Sequence, residues 1–364
     1  LTAYLGDNGI THALAHPLYS VNRKLNGDHF EKCLLLFRNF ELNGARSEEQ
    51  NRCLQRMLSM LTEEKIEELV EKHGIIPRFN LPWRKNLTAG SDDHSALTIA
   101  ISYTGVGKDG KVEDLLRAIE ENQATVRGCG SMPKALARNL YSVAYQFYDH
   151  KFDLREYVAN QPVMTFLDGF LRVNESNPCG SAGLNLHGFL GTRKSGRPDF
   201  GVSSAVLTML QDHIRRSVLD DRELIEILIG GNGKGGQLDD KWFHVVNRVS
   251  GQVLSHIAEQ LKDSFFGANF FNMFQSLGSV GALYCMLAPY FISYSIYSED
   301  RDFSAKMTRR LRPEGSKDSI RGEGVKVAHF TDTFYEINGV AGTLRRQVDA
   351  ARRMNKEYAV ITCD

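Results

Sequence analysis

From Leu1 to about Tyr148, short apolar stretches alternate with segments whose apolar residues recur every three or four positions, the pattern of strands and helices in an α/β unit. The apolar stretches lie at 13–18 and 33–40, and helices are predicted over 48–72 and 112–122. In the first helix Leu54, Met57, Leu58 and Leu61 form one face. Thr62 followed by Glu63 and Glu64 has the signature of a helix start, and Gly74 that of a stop. The segment 75–87 carries Pro77 and Pro82 and is expected to be a loop. After about Asp149 strand-like runs vanish, and helical patterns follow over 152–173, 203–229 and 240–263. From Val325 the pattern becomes strand, glycine-bearing loop, helix with Leu344, Val348 and Ala351 on one face, and a second strand near 358–362. The expected fold class is therefore α/β, with a mainly helical region at 149–298 separating units at 1–148 and 325–364.

Two segments of the middle region stand apart. Residues 264–298 form a 35-residue run without one charged side chain. Gly267, Gly278, Gly281 and Pro289 interrupt it and polar side chains are scattered through it, so a plain membrane span fits poorly. A buried helical hairpin is the first reading, and an interfacial element giving peripheral membrane association is the second. Residues 299–324 then mix Arg301, Lys306, Arg309, Arg310, Arg312, Lys317 and Arg321 with acids, Pro313 and Gly315, which reads as a solvated linker or, as the alternative, a basic segment resting on anionic lipid headgroups. The glycine-rich stretch 230–236 lacks the Gly spacing and the Ser or Thr of a P-loop and reads as a flexible loop.

Composition adds exclusions. Lys+Arg 44 balances Asp+Glu 44, so a nucleic-acid partner held by bulk charge is not expected. The six cysteines are scattered and form no CxxC pair, so neither a disulfide framework nor a zinc ribbon is indicated, and a reducing, cytoplasmic setting fits. Residues 1–5 lack the basic and apolar regions of a secretory leader, and 358–362 reads as a buried parallel strand that should continue into a further unit. The sequence thus reads as a piece of a longer chain.

Candidate chemistry sits in two short strings, Ala15-His16-Pro17-Leu18 and Gly90-Ser91-Asp92-Asp93-His94-Ser95. Both fall at the ends of predicted strands. On a strand, alternation sends Asp92 and His94 to one side, where a carboxylate and an imidazole converge on one cation, while Asp93 points away. Pro17 favours extended geometry at His16. Between the two strings, Phe40-Glu41-Leu42-Asn43-Gly44 reads first as a strand end. His29, His73, His150 and His187 have no second partner at metal spacing and read as ordinary surface or core histidines, the reading also preferred for His12, four residues before His16.

Together these strings resemble the later motifs of the PHP (polymerase and histidinol phosphatase) family, over about residues 1–148. The resemblance implies a distorted β/α barrel with His16, Asp92 and His94 as ligands to divalent ions (Zn, Mn, Fe or Mg), and phosphoester hydrolysis by an activated water; 40–44 resembles the family's strand and turn after the His-Pro string, which implies Glu41 and Asn43 at the mouth. The family's opening His-x-His occurs nowhere in this sequence. In the last segment, Phe330-Thr331-Asp332-Thr333-Phe334-Tyr335-Glu336-Ile337-Asn338-Gly339-Val340-Ala341 resembles the opening of family 4 glycosyltransferases of the GT-B fold. That resemblance covers 326–364. It implies the first βαβ of a Rossmann-like domain, a nucleotide-sugar donor, and a substrate-facing loop at Asn338, Gly339 and Val340.

The expectation is a fragment of a bifunctional, bacterial-type protein. It joins a metal-dependent phosphoesterase to a glycosyltransferase at the inner membrane face, with a phosphorylated small molecule or a sugar or lipid acceptor as partner. The competing expectation is a degenerate metal domain and helical scaffold attached to a membrane-associated transferase. Each site is incomplete within these 364 residues, so the chain alone is expected to catalyse neither reaction well.

Overall fold

The computed structural model describes residues 1–20, 24–107, 110–154, 167, 168, 171, 216, 235–266, 270–312, 327–336, 339–354 and 356–362. The chain divides into two compact units, Leu1–Leu311 and Arg312–Asp364. The first is an α/β unit with a helical bundle, and the second a β-α-β unit.

In the first unit α1 (Thr2–Asp7) leads into β1 (Ala13–Leu14), α2 (Gly27–Leu36), β2 (Asn39–Asn43), α3 (Glu48–Ser59), α4 (Glu63–His73) and β3 (Asn86–Gly90). The apolar stretch 33–40 is thus divided between the end of a helix and the start of a strand. The helix predicted over 48–72 breaks where Thr62 restarts it. The Thr62 hydroxyl accepts the Lys65 N–H, as Ser47 accepts that of Gln50 and Asn26 that of His29. Gly74 ends α4 with φ of 65°, a left-handed conformation that a residue with a Cβ rarely adopts.

Strands β1, β2 and β3 form a parallel sheet in that order, with Phe40 opposite Leu87 and Asn43 opposite Gly90. On β2 Phe40 and Leu42 turn to the helices, while Asn39, Glu41 and Asn43 share the other face. At the start of the sheet the Asn86 amide donates to Asn39 Oδ1 at 3.0 Å and to the carbonyl of Ile119, satisfying an open helix end. That helix, α5 (Val112–Glu120), lies between β4 (Ser102–Gly105) and β5 (Thr125–Gly128), an antiparallel pair. The Thr104 hydroxyl accepts the Ala89 N–H at 2.7 Å and donates to the Ala89 carbonyl at 3.0 Å, linking β3 to β4 without a strand ladder.

The 20-residue α6 (Pro133–Phe152) runs through the 148/149 boundary expected from sequence and serves both halves of the unit. On one side its Gln146 amide donates to the Ser95 carbonyl at 2.7 Å. On the other, Tyr141 and Tyr145 pack with α7 (Gly235–Phe266) and α8 (Phe270–Leu311) around Trp242, Val245, Val249 and Val253. Phe243, near the start of α7, meets Tyr290 of α8 with ring centroids 5.2 Å apart, so the two helices run antiparallel. The run 264–298, expected to form a buried helical hairpin of its own, instead spans the end of α7 and most of α8: 270–298 is one helical stretch with Pro289 inside it, and Tyr284, Phe291 and Tyr294 on it are exposed. Among the described residues no helix is long and apolar enough to cross a membrane.

The largest departure from expectation is at 299–311. This stretch, read as the start of a linker, is the C-terminal part of α8. Its Phe303, Met307 and Leu311 complete the core formed by Phe30, Leu34, Phe40, Leu54, Met57 and Leu69. The same buried stripe includes Asp300, Ser304 and Thr308. The two hydroxyls bond carbonyls four residues back, Ser304 to Asp300 and Thr308 to Ser304, so they enter the interior already satisfied.

In the second unit β6 (Val327–Thr331) and β7 (Tyr358–Thr362) pair in parallel, with α9 (Gly339–Arg353) between them in sequence. The helical patterns at 155–166 and 203–215 and the glycine stretch 230–234 lie outside the described residues.

Candidate metal centre

Parallel pairing brings the C-terminal ends of β1, β2 and β3 side by side, and the motif residues lie on or just beyond those ends. One hydrogen-bond chain crosses all three. The His16 N–H donates to Glu41 Oε2 at 2.7 Å. Asn43 Nδ2 donates to the same oxygen at 3.3 Å and to Asp92 Oδ2 at 3.0 Å. The chain ends at Asp92, and His94 Nε2 lies beside it, 3.5 Å from Asp92 Oδ1 and within ion-pair reach. Because Asn43 Oδ1 accepts the Ala45 N–H at 2.8 Å, its amide must present Nδ2 to the two carboxylates. Asn51 grips the Asn43 backbone from α3, accepting its N–H and donating to its carbonyl, each at 3.0 Å.

Two details of the sequence reading change. Strand β3 stops at Gly90, and Asp92 has φ of 48°, so a turn rather than strand alternation brings Asp92 to His94. His16 does not take the extended geometry that Pro17 favours; its φ is 35°. A turn closed by the Tyr19 N–H on the His16 carbonyl at 3.0 Å, together with the Glu41 acceptor, outweighs the pre-proline preference. Two non-glycine residues in left-handed conformations thus flank the mouth, as is common at functional sites. Asp93 points elsewhere, as expected, and its carboxylate accepts from the Ser95 N–H, the Ser95 hydroxyl and the Thr98 N–H.

The site is open. The His94 side chain is 84% exposed and that of Asp92 22%. On the His16 side a crevice of about 10 Å³, the size of one water, is lined by His16, Glu41, Asn43, Arg46 and Gln50 among others. Glycine makes room at two points. A Cβ on Gly90 would overlap the Glu41 carboxylate, and one on Gly44 would press on Ile101, Ser102 and Ser91. A larger cavity of about 470 Å³, lined by His12, Arg38 and Asn39 among others, opens at the other end of the strands, away from the motif residues.

Two imidazoles and two carboxylates form the mixed N/O donor set that Zn, Mn or Fe accepts. In this structure only Asp92 and His94 are close among them, so the set fits in chemistry and is not drawn together. The tight His/acid triad among the described residues is elsewhere: Asp28, Glu31 and His73, with ligand atoms within 4.8 Å of one another. Cations already occupy it. Glu31 Oε2 accepts from Lys72 at 2.8 Å and lies 2.7 Å from His73 Nε2, while Arg310 of α8 donates to both Glu31 and Asp28. Burial raises the Glu31 carboxyl, but the bonds from Lys72, Arg310 and His73 outweigh it and hold the group below its ordinary range. This cluster is a fastening of α8 to α2 and α4. Sequence reading missed it because His73 and Arg310 meet Glu31 only through the fold.

In the second unit Gly339 and Val340 are exposed in the first turn of α9, and Asn338 lies outside the described residues. The Arg345 guanidinium donates to the Phe334 carbonyl at 3.1 Å, holding the preceding loop against the helix. No family model, curated protein or solved structure matches this chain.

Proposed function

We propose that the strand-end site of the first unit is a divalent-metal site for phosphoester hydrolysis, on a partial barrel of the PHP kind. In the complete protein it is joined to glycosyl transfer from a nucleotide sugar through a Rossmann-like GT-B domain that begins in the second unit. The observation that carries the first part is the hydrogen-bond chain from the His16 backbone N–H through Glu41 and Asn43 to Asp92 across three parallel strand ends, with His94 within ion-pair reach of Asp92, where α/β enzymes place their chemistry. His16, Asp92 and His94 would hold the ion, with Glu41 beside them. Such an ion would activate water toward phosphorus and neutralise phosphate oxygens. Asn43 orients Asp92, and the exposed His94 leaves a phosphorylated small molecule free access. For the second part, support comes from the exposed Gly339–Val340 turn at the head of α9, because a helix N-terminus suits a sugar or diphosphate. The test is hydrolysis of a generic aryl phosphate with Mn²⁺ or Zn²⁺ by the wild-type chain and by His94→Ala, ideally in the longest available form of the protein. Metal-dependent turnover abolished by the substitution supports the hydrolase, and none in any form favours the scaffold.

A second reading concerns the charge-free segment. Tyr284, Phe291 and Tyr294 are 65%, 53% and 69% exposed on α8, and Lys306 and Arg309 are exposed further along the same helix. An aromatic face followed by cations suits peripheral contact with an anionic lipid surface.

A further inference from the structure

We propose that the C-terminal part of α8 is a positioning element of the strand-end site, acting through Asp300 and Tyr297; the inference rests on the metal reading of that site. Asp300 lies 3.3 Å from Arg46 Nε, with both side chains below one-tenth exposed. On its other side the Arg46 guanidinium sits 3.9 Å from the centroid of the Tyr19 ring. The Tyr19 ring meets the His16 ring edge-on, with centroids 5.7 Å apart. Asp300 therefore reaches the first candidate ligand through two packed side chains. Tyr297 acts on the second branch. Its hydroxyl donates to the Ala45 carbonyl at 3.0 Å, and the Ala45 N–H is the group that orients the Asn43 amide toward Glu41 and Asp92.

Both branches converge on the loop 43–46. From its own side of the molecule that loop is held by its Arg46 N–H on the Asn43 carbonyl, the Gly44 N–H on the Gly90 carbonyl, the Ser131 N–H on the Arg46 carbonyl, and Asn51 on Asn43. Asp300 and Tyr297 touch no donor of the site. They fix the atoms that fix the donors, the role that partners of metal ligands play in general.

The experiment is a Mn²⁺ titration of the 364-residue chain followed by electron paramagnetic resonance, with thermal melts alongside. Wild type, His94→Ala, Asp300→Asn and Tyr297→Phe are compared. Wild type is expected to bind Mn²⁺ and His94→Ala to lose binding, while Asp300→Asn and Tyr297→Phe weaken it by roughly 10-fold while still folded. A purely structural role would lower the melting temperature and leave the affinity of the folded protein unchanged. Tyr297→Phe removes one hydroxyl and decides the matter if Asp300→Asn fails to fold. If wild type binds and His94→Ala does not, but Tyr297→Phe binds as wild type, the positioning role is overturned and the metal reading stands. If wild type takes up no Mn²⁺, the metal reading falls and this inference with it.

Discussion

Arg46 and Asp300 form an ion pair inside the protein, 3.3 Å apart, between the loop after β2 and the far end of α8. Burial raises the Asp300 carboxyl above its ordinary range, against the pull of Arg46, Gln50 and the Ser20 backbone. The charged pair is thus held at a desolvation cost, and losing one partner strands the other. Asp300→Ala should destabilise the first unit by about 3–5 kcal/mol. The paired replacement Arg46→Met with Asp300→Leu should recover most of that loss, as read by denaturant midpoints. A double variant no more stable than the single would show that the pair itself is worth more than its apolar replacement.

Gly90→Ala and Gly130→Ala should separate site from scaffold. At Gly90 the added Cβ meets only the end of the Glu41 side chain, away from the backbone, so stability should fall by no more than about 1 kcal/mol while Mn²⁺ affinity falls with the displaced carboxylate. At Gly130 the Cβ meets the backbone of Arg46, Ser47 and Glu48, which cannot step aside. That variant should lose several times more stability in the same denaturation assay.

Above neutrality the stability of the first unit should rise with pH through Lys85. Its ammonium donates to the Phe37 carbonyl at 2.9 Å, but burial, reinforced by Arg38, depresses it from 10.5 to about 7. The unfolded chain therefore binds the extra proton across that window, and stability climbs as pH rises through it. Denaturant midpoints at pH 6.5 and 9.5 measure the rise, and Lys85→Met should flatten it. An equal slope in both proteins would refute the assignment.

On the acid side Glu31 acts with the opposite sign. Its folded value lies below the ordinary carboxylate range, so its contribution is complete above that range and is lost as pH falls through the folded value. Glu31→Gln should therefore lower stability at pH 6 and narrow the difference from wild type toward pH 3. Chemical denaturation at both values checks this.

Sucrose-gradient flotation with vesicles containing anionic lipid tests the aromatic face of α8. Replacing Tyr284, Phe291 and Tyr294 by Ser should shift the protein from the floating to the soluble fraction with its melting temperature kept. Wild type remaining at the bottom of the gradient removes the lipid reading.

The motif residues were legible because their chemistry is local: His16-Pro17 and Asp92-Asp93-His94 are short strings at predicted strand ends. Glu41 and Asn43 left a weaker trace, polar side chains alternating with Phe40 and Leu42 on what proved to be a central parallel strand. Both faces of such a strand are usually apolar, so polar residues there point to a site. The docking of 299–311 was hidden by composition. Phe303, Met307 and Leu311 keep a four-residue spacing, but Asp300, Ser304 and Thr308 share the buried stripe and Arg301, Lys306 and Arg309 surround it, so the whole reads as solvated. Ion pairs such as Arg46–Asp300 and Arg310–Glu31 join residues far apart in sequence, and no local pattern announces them. The left-handed His16 reversed a sound local rule through one long-range acceptor, Glu41.

The contribution of α8 to the first core also orders events during synthesis. Phe30, Leu34 and Met57 leave the ribosome early, while Phe303, Met307 and Leu311, which cover them, emerge only near residue 311. At roughly 5–20 residues per second the early half waits tens of seconds with an uncovered apolar face. A ribosome stalled between Met57 and Leu311 therefore releases a product without the side chains that close this core.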